Sequence, residues 1–140
     1  MIWAIIIGVI FITLFRFLTD LNKDNYDLQG QSLAEKFKFI VEYLNEAAFQ
    51  SNGRVVYIDK RSFNLWKDGS NQIILFNYGT GHLTITWNYK YFQKEVVHER
   101  VFKNVRNLSL FEQQKIATLM INEMQVVVLD HQRKVGGNIF

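Results

Sequence analysis

The chain has 140 residues, 49% hydrophobic and 21% charged, with no proline, no cysteine and a formal net charge of +3. That balance fits one packed domain and excludes a disordered chain, a Pro-rich linker, a disulfide framework, thiolate-held zinc or iron–sulfur, and a thiol nucleophile. The cationic excess is small and interleaved with acids, which argues against a nucleic-acid backbone as partner.

The first element is "IWAIIIGVIFITLFRFLT", Ile2 to Thr19, uncharged until Arg16. As a helix rising roughly 1.5 Å per residue it is about 27 Å long, close to the roughly 30 Å hydrocarbon core of a bilayer. The reading is a retained transmembrane anchor over residues 1–19. It seats in the lipid bilayer through Ile2, Trp3, Ile5, Ile6, Ile7, Val9, Ile10, Phe11, Ile12, Leu14 and Phe15. Trp3 suits one interface, and Arg16 can snorkel to the other. A cleaved signal needs a basic start and a small-x-small site, and neither is present. A helix apolar on every side also demands more burial than a domain this small provides. Arg16, Lys23, Lys36 and Lys38 all follow the apolar core of the segment and no cationic side chain precedes it. The positive-inside bias therefore places the domain of a single-pass protein in the cytoplasm.

Polar residues 20–31 read as a spacer. Ser32 to Phe49 is then an amphipathic helix, opened by a capping box of Ser32 and Glu35. Leu33, Phe37, Ile40, Leu44, Ala47 and Ala48 form its buried stripe, and Lys38 pairs with Glu42 on the wet side. "SNG" at Ser51–Gly53 ends it. Strand-like segments follow at Arg54–Asp59, Ser62–Lys67, Asn71–Tyr78, His82–Tyr91 and Lys94–Val105. The reversals at Asp68–Gly69 and Gly79–Gly81 make them an antiparallel meander of four to five strands. Ser109 and Glu112 offer a second capping box before a long helix whose apolar arc is wide. "GGN" at Gly136–Asn138 breaks the chain. The expected fold class is α+β: a transmembrane helix, an amphipathic helix, the meander sheet and a C-terminal helix packed on it. The domain spans residues 32–131, with a frayed tail over 132–140.

One strand carries a test. Leu83, Ile85, Trp87, Tyr89 and Tyr91 share one face, and His82, Thr84, Thr86, Asn88 and Lys90 the other. The aromatics keep company with Leu83 and Ile85, so they form the inner face of a sheet rather than a stacking platform for bases.

No catalytic or cofactor motif stands out. "HERVF" lacks the second histidine of a zinc-protease helix, no nucleophile elbow is present, and "GTGH" joins two strands instead of opening a helix. The expectation is no metal and no cofactor. Glu112, Glu123 and Asp130 read as a solvated helix face. The apolar pair that does not fit a core stripe is Phe39, set among Glu35, Glu42 and Glu46, with Tyr43 one turn on. An exposed aromatic pair rimmed by charge is a candidate protein-binding contact. The expected function is a single-pass, membrane-anchored accessory or assembly domain that binds a protein partner, with no enzymatic activity apparent. One alternative is a binding module for a small ligand or single-stranded nucleic acid on Thr84, Thr86, Asn88 and Lys90. The other is a metal-dependent hydrolase around His82 and His98.

Overall fold

Strict alternation and tight turns build a sheet, and helices close over one side of it. The computed structural model describes residues 2–27 and 32–137. Helix α1 (Ile2–Asp27) precedes α2 (Leu33–Lys36) and α3 (Lys38–Phe49). Strands β1 (Arg54–Asp59), β2 (Ser62–Trp66), β3 (Gln72–Gly79), β4 (His82–Tyr91) and β5 (Lys94–Phe102) follow, and α4 (Leu110–Gly137) completes the chain. The fold is α+β. Its five strands lie in the order β1-β2-β3-β4-β5, each antiparallel to its neighbour.

The period of two decides the faces. Leu65, Ile74, Trp87 and His98 form one cross-strand row, and Phe63, Phe76, Ile85 and Arg100 form the next. Phe63 and Phe76 stack at 4.6 Å. Over this face lie Ile40 and Leu44 of α3 and Ala117 and Met120 of α4, none of them exposed. Burying one such large apolar side chain stabilises the fold by about 1.5–3 kcal/mol. Trp87 is buried and Tyr89 half-buried on the same face, so the aromatic alternation of β4 is core.

Turn chemistry explains the tight reversals. Thr80 and Gly81 take φ of 52° and 74° between β3 and β4, the pairing that a two-residue hairpin turn requires. A side chain at Gly81 would also meet the Arg106 guanidinium at 2.6 Å. The β4–β5 turn uses Phe92 and Gln93 at φ of 48° and 63°, although neither residue favours that region.

Several expectations change. The helix expected over 32–49 breaks at Phe37, whose φ and ψ are −108° and 32°. There the ring turns inward and meets Tyr78 edge-on at 5.5 Å. The capping box of Ser32 and Glu35 is formed in both directions. Ala47, expected in the buried stripe, is exposed, while Val41 and Phe49 are buried. Helix α4 continues through residues 132–137, because no breaker precedes Gly136. Part of the spacer expected over 20–31 belongs to α1, and residues 28–31 lie outside the described ones.

Among the described residues, no helix is long and apolar enough to cross a membrane. The transmembrane span expected over residues 1–19 is therefore not part of the established fold.

Candidate functional site

The N-terminal half of α4 lies beside α3, and an open groove of about 620 Å³ runs between them. Phe39 and Tyr43 line it from α3, at 36% and 38% exposure, and Leu110 lines it from α4 at 49%. The helical period explains the pair. Phe39 and Tyr43 are four residues apart, one turn, and point away from the stripe of Ile40 and Leu44. The Tyr43 hydroxyl accepts a hydrogen bond from Gln114 Nε2 at 2.7 Å and ties the two walls together. The charged residues of the lining are Glu42 and Glu46, both acids. Lys38 reaches Glu42 only at 3.9 Å, with both side chains mostly in water, so that pair contributes little and leaves the acidic character in place. Phe39 and Tyr43, singled out from spacing, are thus brought together in one concave site. Leu110 and Gln114 had no local signal, because only packing brings α4 alongside.

The second set of candidates, Thr84, Thr86, Asn88 and Lys90, lies on the sheet face that the helices leave uncovered. The structure gathers only half of it. Asn88 and Lys90 line a cavity of about 240 Å³ together with Trp66, Ile73 and Glu95. Thr86 is occupied elsewhere, donating to Glu99 Oε1 at 3.1 Å. One atom of a lining residue has no counterpart: Asn88 Oδ1 is buried without a hydrogen-bond partner. Such an acceptor costs free energy unless a donor arrives.

The histidines separate. His82 stands with Thr84 on the uncovered face, and His98 is opposite Trp87 on the core face. The two imidazoles do not converge. Among the described residues, no group of three or more His, Asp or Glu is placed to hold a metal ion.

His98 instead joins a strap between β5 and α4. Its Nε2 lies 2.7 Å from Glu123 Oε2, and Arg100 Nη1 donates to Glu123 Oε1. Glu123, expected on a solvated face, is three-quarters shielded. It turns inward because His98 and Arg100, two apart on one strand face, both reach the helix there. Further along, Gln132 donates to the Tyr89 hydroxyl at 3.0 Å, and His131 Nε2 lies 2.9 Å from the Lys94 carbonyl. Between this strap and the end of α3 opens an apolar cleft of about 350 Å³, lined by Trp87, Tyr89, Met124 and Val128. Gln72 closes its inner end: the Trp87 indole donates to Gln72 Oε1 at 2.9 Å, and Gln72 Nε2 donates to the Ala48 carbonyl at 2.7 Å.

No protein-family model, curated protein or solved structure matches the chain.

Proposed function

We propose that the protein is a bilayer-tethered docking domain. In this reading α1 inserts in the membrane, and the α3–α4 groove receives a partner segment carrying an apolar side chain beside one or more cations. One observation carries the tether: every large apolar side chain described on α1, from Ile2 to Leu18, is exposed. Each would gain about 1.5–3 kcal/mol from leaving water, so a helix of this kind needs a cover, and lipid covers all sides at once. The run from Ile2 to Leu18 is about 25 Å long at roughly 1.5 Å per residue. Snorkelling by Arg16 and slight thinning of the bilayer accommodate that length. Arg16 and Lys23 follow the apolar core of the run, and the positive-inside bias favours the cytoplasmic side for the domain.

The groove reading rests on composition and shape. Aromatic side chains at a concave, partly apolar site supply the contact area that anchors a protein partner. Glu42 and Glu46 favour cations beside that anchor and speed their approach. Nothing in the groove pairs a nucleophile with a base, so binding is the role its residues support.

Alkaline extraction of membranes tests the tether. The full chain should stay with the lipid, and Ile7→Lys with Ile10→Lys should release it; an intact chain that washes off ends the reading. A photoreactive phenylalanine analogue at position 39 tests the groove in the same membranes. Cross-linked peptides should carry Lys or Arg beside an apolar residue, and Glu42→Lys with Glu46→Lys should abolish the adduct. Adducts indifferent to the charge reversal would remove the groove. For sidedness, a single cysteine at Ser70 should react with an impermeant thiol reagent only after lysis. Reaction in intact cells would overturn the cytoplasmic placement.

A second reading has one observation in its favour, the unpartnered Oδ1 of Asn88, a residue that lines the cavity with Trp66 and Lys90. A small ligand there would present an N–H or O–H donor to it. Asn88→Ala should weaken binding of such a ligand and leave the groove adduct unchanged.

A further inference from the structure

Helix α4 is apolar on two sides, and only one faces the domain. Ala117, Met120 and Met124 are buried at 0–2% exposure. On the opposite side Leu119, Val126 and Leu129 stand out, with Val126 67% exposed. Asn122 is exposed between them. The spacing 119, 122, 126, 129 alternates three and four residues, which is the a/d seam of a coiled coil. Assigning a to Leu119 and Val126 puts Asn122 and Leu129 at d. The buried Ala117 and Met124 then occupy f, the position farthest from a seam. The helix that closes the domain thus carries a second seam on its back.

We propose that this seam is where a second copy of the same chain docks, as a parallel two-helix pair about a twofold axis. The neighbouring positions choose the occupant and its direction. The e positions are Glu123 and Asp130, and the g positions are Thr118, Gln125 and Gln132. Glu123 is already held by His98 and Arg100, so Asp130 is the acid left to face a partner. An antiparallel pair sets Asn122 against Val126 of the other copy and leaves its amide unpaired. A parallel pair sets g against e, so Gln125 meets Asp130 of the other copy, amide against carboxylate. Within the seam each layer faces itself: Leu119, Val126 and Leu129 make apolar layers, and the two Asn122 amides can hydrogen-bond to each other. A β-branched residue at a followed by Leu at d favours two strands. Asn122 also disfavours an apolar helix of another protein, which would leave its amide unpaired. Lys115 and Arg133 occupy the next seam positions and limit the contact to these four layers. A seam this short does not hold two free peptides together. Here α4 is already folded against the sheet, so association does not carry the cost of ordering the helix. The groove at Phe39 and Tyr43 lies on the other flank of α4 and stays open.

The absence of native cysteine makes the test direct. Three single-cysteine variants of the full chain, Leu119→Cys, Val126→Cys and a control in the exposed turn after α3, Asn52→Cys, are placed in membranes and mildly oxidised. Positions 119 and 126 are seven residues apart, about 10 Å along the axis. A parallel seam brings each to its own counterpart, so both should give a disulfide-linked dimer, with only background from Asn52→Cys. Added to Leu119→Cys, the substitution Val126→Glu should abolish the dimer, and Leu129→Glu should do so independently. Cross-linking at one of the two seam positions alone would overturn the parallel seam. Equal cross-linking at all three sites, or none, would overturn the docking itself.

Discussion

Helices α1 and α4 have almost the same length, 26 and 28 residues, and use apolar residues in opposite ways. In α4 they recur at helical spacing, and one face disappears into the core through Ala117, Met120 and Met124. In α1 they follow one another without a period, and every large one described is exposed. A stripe is a statement about a neighbouring element of the same fold. An unbroken apolar surface is a statement about the medium. The second stripe of α4 falls between these cases, because it is periodic yet faces outward. Periodicity fits the helix partner proposed for α4, whereas uniform coverage fits the lipid proposed for α1.

The largest expected effect separates the two helices outright. Met120→Ala removes a fully buried side chain and should cost about 2–5 kcal/mol of domain stability in denaturant. Ile10→Ala, half-exposed on α1, should leave the same unfolding curve in place and act only on membrane retention. An equal loss from both would mean that α1 packs on the domain, and the contrast would break. Glu123→Gln comes next. It leaves His98 and Arg100 without their carboxylate, and partial exposure at 21–45% limits the loss to about 1 kcal/mol. Its unfolding should begin with earlier exchange of β5 amides. Unchanged β5 protection would show that the strap does not hold α4 to the sheet. Tyr43→Phe removes the bond from Gln114 at an exposed groove wall and should cost about 0.5 kcal/mol. It should leave the Phe39 photoadduct intact, whereas Tyr43→Ala should reduce it.

The sheet was legible because period two and the hairpin turns agree. The bounds expected for β1 and β4 coincide with the observed strands. Asp68–Gly69 and Gly79–Gly81 announced their reversals through residues that accept positive φ. The β4–β5 turn was not announced, since Phe92 and Gln93 adopt positive φ only because the long β4–β5 ladder holds them there. The break at Phe37 was hidden for a similar reason: periodicity runs through it, and only the inward ring contact with Tyr78 shows why the helix bends. Half of the groove could be read from the sequence. Phe39 and Tyr43 misfit their own stripe, but their α4 neighbours depend on packing that no local pattern encodes. Glu123 misled for the converse reason. A carboxylate on a helix defaults to solvent unless partners 23 and 25 residues away claim it.

The smallest effect reads one turn of the domain by pH. Asp20, Asp24 and Asp27 of α1 also titrate in acid, so the comparison is between the parent and a single-site variant that shares them. Asp59 sits at the β1–β2 reversal, where its Oδ1 accepts from the Arg61 N–H at 2.8 Å and from the Ser62 hydroxyl at 2.9 Å. These bonds, the backbone one first, favour the charged form and hold its pKa below the ordinary 3.8. A depressed carboxylate pKa contributes stability that is present above the unfolded value and is lost as pH falls through the folded one. The carboxylate is fully exposed, so solvent keeps the contribution small. Asp59→Asn retains an acceptor oxygen at the turn but removes the titration. The parent should be slightly the more stable at neutral pH, and the two unfolding curves should converge as pH drops below 3.8. A gap that persists unchanged in acid would assign the difference to turn geometry and not to charge.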